Sequence, residues 1–566
     1  MSQRFGPITV ALTGQLAIIL LLSAILALVA SFLILRLYRR AVIKSMRRRN
    51  RSDILEPKGF LPAEPEHQPH DAPLTLKTIT RESLKTNTRA ATLYHRAIRR
   101  RWSTAVIHTL AGCGFAATMA VAFLVAGKTD ISPNRLLFFI WVNAWPVVLA
   151  IDLAVGLSRR GRFIAIATYF FVGEIVISGV AGKNLGLPVG QLLYLWLEAN
   201  FPATLLLVVF LNRRLRAVGP LVLVFMVLSV TGAILVVTFT GNNRTLLKTL
   251  TGFSMSIGLG AAGTLVILHI IGFAVFAIAG WIILGTLRRL YAKKHVSEQS
   301  ITIDAVWLLF GVVNSIRLVS HGPSWILSGL TAYLIYKFIA ACSYRLSGLA
   351  RLSQSSGRRL LLLRVFSIDG RSQALYETLG KSWRTVGSIQ MIAGRDLAAS
   401  AMEPHEFLDF VAGKLDRRFI DSGRTLDVRV NQMDLQPDKE GQFRVTEFFC
   451  HDDTWKMSLA RVADDSDVVL MDLRGFSSEN SGFVLEIHEL FNVVALSRVI
   501  FIVDNTTDQA FLRQTMQDGW QKLKTRSPNR RLPAAQISLV DLSGMTRAGF
   551  HNLLYALCTA ATAETF

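Results

Sequence analysis

Two glutamates, Glu486 and Glu489, stand among apolar residues in NSGFVLEIHEL, residues 480–490. Phe483, Ile487, Leu490 and Val494 recur at helical spacing and predict a core-facing stripe, with Glu486 at its border. A carboxylate held at such a border can have a shifted pKa and contact sugar hydroxyls or a developing cation. The plainer alternative is an amphipathic edge, or an ion pair with Arg474 or Arg498. More polar residues stand at the ends of apolar runs: Asp369, Arg395, Asp396, Asp472, Arg474 and Asp504. In an open parallel sheet, ligands bind beyond the carboxyl ends of the strands, so these six are the candidate ligand-binding residues. The same residue types also cap the helix that follows a strand, and capping is the simpler account of Asp504 to Asp508.

A third group is intramembrane in character. Asp152, Glu174 and Glu198 fall in three successive apolar runs. A charge at mid-bilayer costs roughly 2.5 to 3.5 kcal/mol, so such acids face a bundle interior, a water path or an interhelix partner. Pro146 and Pro202 mark kinks near two of them. The glycine-rich phosphate loops of common nucleotide-binding folds are missing from the sequence. His451-Asp452-Asp453 reads as a helix start rather than as a metal site.

The elements that must position these groups fall into two parts. Leu16 to Leu35 is twenty residues without a charge, long enough at 1.5 Å per residue to cross a hydrocarbon layer of about 30 Å. Basic residues crowd the stretch after it, predicting an anchor with its N-terminus outside. Residues 1–37 are therefore read as an anchor and 38–102 as a basic, Pro-rich cytoplasmic linker. Residues 103–345 form a multi-pass region, with apolar runs near 104–126, 136–157, 163–182, 189–211, 218–240 and 262–286. Two shorter runs, near 303–320 and 324–342, are interrupted by Arg317 and Lys337, so the count is seven or nine spans. They are short crossings, or half-helices turning back at His321-Gly322-Pro323.

From residue 346 onward, strands without polar alternation are separated by helices, which predicts a mostly parallel, doubly wound α/β sheet over 346–566. Within it, LDVRVNQM and FRVTEFF flank the turn-rich QPDKEGQ and read as a hairpin or a strand with an excursion. The fold class is thus a membrane α-helical bundle of about seven to nine spans plus a cytoplasmic α/β domain. Charge follows the same division. Residues 346–566 carry 26 Lys and Arg against 27 Asp and Glu, whereas the first 345 carry 36 against 12. The excess behind the net charge of +23 therefore belongs to the apolar part, where it sets orientation, and nucleic acid is excluded as the main partner.

The order of strands and helices, and SDVVLMDLRGFSSENSGFVLE in particular, resembles the TIR domain family. Glu486 falls in the family's glutamate position, which makes it the candidate catalytic residue, and Gly394-Arg395-Asp396-Leu397 falls in that of its Arg-Asp box. The family's Trp and Cys are replaced by Gly482 and Phe483. The resemblance implies a flavodoxin-like fold, NAD as substrate of a glycohydrolase with Glu486 at the ribose, or else a non-catalytic assembly module that forms homo-oligomers. The expected function is a multi-pass inner-membrane protein, partnered by the lipid bilayer, with a signalling, effector or assembly domain. An ion or proton channel or transporter, and a plain scaffold, are the alternatives.

Overall fold

The computed structural model describes residues 7–47, 70, 72–79, 87–178, 189–211, 215, 218–258, 260–349, 357–364, 370–393, 404–413, 419–451, 454–543 and 547–563. The chain separates into two units. The first comprises Met1–Leu37, Ser103–Ser347 and Met402–Ala412; the second comprises Tyr38–Trp102, Gly348–Ala401 and Gly413–Phe566.

The first unit is helical because its sequence offers long apolar runs with no strand punctuation. Its helices are α1 (Pro7–Arg47, as far as Leu37), α2 (Thr88–Ala126, from Ser103 onward), α3 (Pro133–Asn143), α4 (Trp145–Val155), α5 (Arg159–Val176), α6 (Val189–Phe210), α7 (Gly219–Asn242), α8 (Arg244–Ser256), α9 (Ala261–Ala292), α10 (Glu298–Leu318) and α11 (Ser328–Leu346). Among the described residues, eight segments are long and apolar enough to cross a membrane: Ile18–Ser45, Thr88–Ala126, Pro133–Val155, Gly190–Phe210, Gly219–Gly241, Ala261–Ala292, Gln299–Leu318 and Ser324–Leu346. Eight lies within the expected seven to nine, though it is neither of the two counts read from the apolar runs. The run near 163–182 becomes α5, which starts at Arg159 and carries Arg159, Arg160, Arg162 and Glu174 within 18 residues. The two interrupted runs, by contrast, are both full helices.

Pro146 breaks the third segment between α3 and α4. Proline lacks the N–H that would bond the Val142 carbonyl four residues back. Asn200 of α6 takes that place, its Nδ2 donating to Val142 O at 2.9 Å. Helices α10 and α11 form a hairpin through Gly322, whose φ of 146° suits a residue without Cβ. The hairpin closes so tightly that a methyl on Gly329 would strike the Gly311 carbonyl. Ser315 Oγ donates to Gly311 O at 2.8 Å and accepts from Gly329 N at 2.6 Å. Small residues let the two helix backbones approach this closely.

Among the described residues, the second unit is built on eight strands: β1 (Leu74–Thr78), β2 (Arg358–Arg364), β3 (Gly387–Ala393), β4 (Phe419–Ile420), β5 (Val445–Cys450), β6 (Val468–Asp472), β7 (Val499–Val503) and β8 (Ala535–Asp541). They lie in the order β1-β8-β7-β6-β2-β3-β5-β4, and every pairing is parallel. Alternate residues of each strand feed two separate cores. Leu361, Leu363, Val469, Met471, Phe501 and Val503 join the helices Trp455–Asp464, Val484–Val493 and Gln509–Gln521. Leu360, Leu362, Val468, Leu470, Ile500 and Ile502 join Gly370–Trp383 and Arg547–Ala560. Both faces are therefore covered, which is why these strands read as unbroken apolar runs.

Three segments depart from expectation. Residues 74–78, placed in a linker, are an edge strand, with Leu74 and Leu76 packed on the first of these cores. LDVRV, strand-like by composition, is the helix Gly423–Asn431, because Ser422 Oγ caps Thr425 N and Leu426 and Val430 are buried four residues apart. The helix Pro404–Val411 belongs to the first unit, where Asp409 pairs with Arg288 of α9 at 3.2 Å.

Gly387 opens β3 directly against the backbone of Arg358, where a Cβ has no room. Gly387→Ala is expected to destabilise the second unit by about 1 to 3 kcal/mol, the usual cost of forced overpacking. A melting curve of the full chain that matches wild type would contradict this register.

Candidate functional site

The strand order reverses between β2 and β6: β3 lies beyond β2 on one side, while β7 and β8 lie beyond β6 on the other. Asp472 closes β6 at this reversal, in register with Arg364 on β2 and Ile502 on β7. The chain then turns through Gly475, at φ 76°, and Phe476 N bonds back to Leu473 O at 3.0 Å. This tight turn folds Arg474 onto Asp472. Arg474 donates from Nη2 to Asp472 Oδ2 at 2.6 Å and from Nε to Oδ1 at 2.8 Å, with both side chains nearly buried. Burial pulls the Arg474 pKa down, but Asp472 more than offsets it, with Tyr376 and Asp504 adding to the rise. The guanidinium is therefore fixed and fully charged.

Asp504, one residue past β7, accepts from Thr506 N at 2.9 Å and from the Thr506 hydroxyl. Thr507 Oγ1 accepts from Asp504 N and donates to Leu473 O, tying the β7 turn to the β6 turn. Asp508 caps the following helix, accepting from Ala510 N and Phe511 N at 3.0 Å each. Capping thus explains Asp508, while Asp504 shapes the loop that faces Arg474. On the next strand, Asp541 accepts from Ser543 N at 2.8 Å. Asp472, Arg474 and Asp504 are brought together; Asp369, Arg395 and Asp396 lie outside the described residues.

Glu486 follows a short 3-10 helix, Ser478–Phe483, and sits in the helix Val484–Val493. Ile487, Leu490 and Val494 are fully buried as the stripe predicts, and Glu486 is half-buried beside them. Neither expected cation holds it: Arg474 is bonded to Asp472, and Arg498 Nη1 donates to Ser466 O at 3.0 Å. Burial alone raises its carboxyl to about 7. Near neutral pH it therefore exists in both forms, able to donate as an acid or accept as a carboxylate.

The three acids of the helical unit do not converge. Asp152, at the end of α4, accepts from Leu157 N at 3.0 Å and pairs with Arg162. Glu174 falls in the last turn of α5 and is exposed. Glu198 pairs with Arg317 of α10 at 3.5 Å. Asp304, which the sequence did not single out, pairs with Lys337 across the α10–α11 hairpin at 2.9 Å. The only signal in the sequence was the interruption of two apolar runs by Arg317 and Lys337. Among the described residues, no three His, Cys, Asp or Glu side chains gather as metal ligands. His451 Nε2 instead lies 3.0 Å from Asp421 Oδ1.

No family model, curated protein or solved structure matches this chain. What the site does has to be argued from its geometry.

Two outcomes follow. A carboxyl whose folded pKa is raised from 4.5 to about 7 gives stability that is full below about pH 4.5 and is lost as pH rises through 7. Glu486→Gln should therefore melt higher than wild type at pH 8, by an amount on the order of 2 to 3 kcal/mol at most, with no such gap at pH 4.5. For the ion pair, Asp472→Asn should cost about 3 to 5 kcal/mol by stranding Arg474, whereas Asp472→Leu with Arg474→Met should recover much of that loss. Denaturant melts of the four proteins measure both terms.

Proposed function

We propose that the chain is a multi-pass protein of the inner membrane whose C-terminal α/β unit is a cytoplasmic TIR-like signalling, effector or assembly module, with a ligand-binding edge at the β2–β6 reversal. The observation that carries this reading is the order of the inner strands. β3-β2-β6-β7-β8 is the flavodoxin-like order 2-1-3-4-5, in which the ligand crevice opens where the order reverses. Cores on both faces support a doubly wound sheet.

In this reading Glu486, on the helix that follows β6, serves that same crevice, and the work divides. The Asp472–Arg474 fork and the Asp504 turn are bonded inward and set the shape of the edge, while Glu486 lacks an ion-pair partner among the described residues. A half-ionised carboxyl suits the paired hydroxyls of a ribose: neutral, it donates to one and accepts from another; ionised, it stabilises positive charge on the sugar if the nicotinamide bond breaks. The ligand is accordingly a nucleotide of the NAD type, bound or cleaved.

For topology, α5 is the deciding element. Its 18 residues rise about 27 Å, close to a bilayer's hydrocarbon thickness, and its three arginines cluster in the first turn, where they can reach headgroups. Counted as a ninth crossing, it leaves the N-terminus outside and the α/β unit inside, as the basic loops require. Eight crossings would place both termini on one side.

The test needs the full chain, because β1 lies outside residues 346–566 and a fragment would lack its edge strand. Purified protein incubated with NAD should bind it and, for an effector, release nicotinamide, with Glu486→Gln about 10²-fold slower. Binding without release, with affinity weakened by Glu486→Gln, would identify an assembly module switched by the nucleotide. No binding of NAD at all would remove the nucleotide reading.

A further inference from the structure

Asp304 is fully buried in the second turn of α10, yet the polar groups around it form more than a pair. Lys337 Nζ lies 2.9 and 3.1 Å from its two oxygens and 3.5 Å from Ser300 Oγ, one turn earlier on the same helix. The adjacent residue on α11, Tyr336, bonds His108 Nδ1 of α2 at 2.7 Å, and His108 Nε2 lies 3.5 Å from Tyr344 Oη two turns further on. Trp307, three residues after Asp304 on α10, packs its ring on Tyr336 at 4.6 Å. Its Nε1–H is buried without an acceptor among the described residues. A buried donor left without an acceptor is rare in a folded core and marks a polar group the packing does not account for.

Adhesion does not explain this cluster. The α10–α11 hairpin is already closed by Gly311, Gly329 and Ser315, and a buried ion pair holds a fold no better than apolar residues of the same size. An ionisable pair inside apolar helices instead points to charge movement.

We propose that the core between α2, α10 and α11 is a proton-binding site, in which a proton relayed by Tyr344, His108 and Tyr336 is taken up by Asp304 and releases Lys337. This rests on the reading that these helices cross a membrane. In the step, the His108 imidazolium gives its Nδ1 proton to the Tyr336 hydroxyl oxygen as that hydroxyl gives its own proton to the Asp304 carboxylate, so an N–H bond breaks on His108, an O–H bond forms on Asp304 and Tyr336 ends as it began. Lys337 keeps its protons and swings away as a free cation, so the pair's charge passes from zero to plus one; loss of the proton reverses it. Lys337 has somewhere to go, its side chain being 28 % exposed against 1 % for Asp304.

Other charges on the packed elements are already committed. Asp152 of α4 is paired with Arg162, Glu198 of α6 with Arg317, and Asp409 of the helix Pro404–Val411 with Arg288; Glu406 of that helix is buried and has its own contacts, and α7 carries no titratable group. His321 and Glu298 stand at the two ends of α10.

The experiment uses the full chain in liposomes. Infrared difference spectra between pH 8 and pH 5 should show a protonated-carboxyl band that vanishes in Asp304→Asn, and an imposed pH gradient should drive proton entry that Asp304→Asn and His108→Phe slow by about tenfold or more. Asp304→Leu with Lys337→Met serves as the folding control, expected to melt near wild type yet lack both signals. If Asp304→Asn matches wild type in band and flux, or wild type shows neither, the proposal is overturned. Resistance to carbonate extraction is scored on the same membranes: a chain that is extracted fails the membrane reading itself, whereas a chain that stays but moves no protons fails only this site.

Discussion

Taking a charge out of water costs several kcal/mol, and the placement of nearly every functional group in this protein is an answer to that cost. Three answers occur. Asp472 and Arg474 meet in a two-bond fork that leaves little of either unsatisfied. Asp304 and Lys337 meet across a helical hairpin, with Ser300 as a further oxygen. Glu486 has no ion-pair partner among the described residues and is instead pushed toward its neutral form. The first arrangement is rigid, the second is reversible, and the third is poised between two states at the pH of a cell.

These answers also order the fold around them. The fork needs a turn too tight for a side chain, which Gly475 supplies, and that turn in turn receives Thr507 and Asp508 from the neighbouring strand. The hairpin needs two helices closer than ordinary side chains permit, which Gly311 and Gly329 allow. The broken α3–α4 segment needs a donor for the Val142 carbonyl, which Asn200 provides from another helix. In each case a polar group that could not be left bare selects the residue opposite it.

Much of this was legible in the sequence. Apolar runs of membrane length, the change of pattern after residue 346, and the stripe Phe483, Ile487, Leu490 and Val494 depend only on local periodicity. Asp472, Arg474 and Asp504 could be placed together because a parallel sheet puts the ends of its strands along one edge. Pairings were not legible. Whether Arg474 answers Asp472 or Glu486 depends on a backbone turn, and Lys337 looked like an interruption until its partner stood across the hairpin. LDVRV misled because three β-branched or aliphatic residues in alternation mimic a strand, while the cap at Ser422 and the spacing of Leu426 and Val430 decide for helix. The strand at 74–78 was hidden by the prolines before it.

That strand sets the timetable of synthesis. Thr75 pairs beside Gln536, so the edge of the sheet waits for more than four hundred residues of chain to leave the ribosome before its partner exists. Contacts so distant in sequence form slowly, and an unpaired strand is open to the wrong neighbour while it waits. Its shortness and its Lys77 keep it a poor template in that interval, and the sheet closes last from its first-made strand.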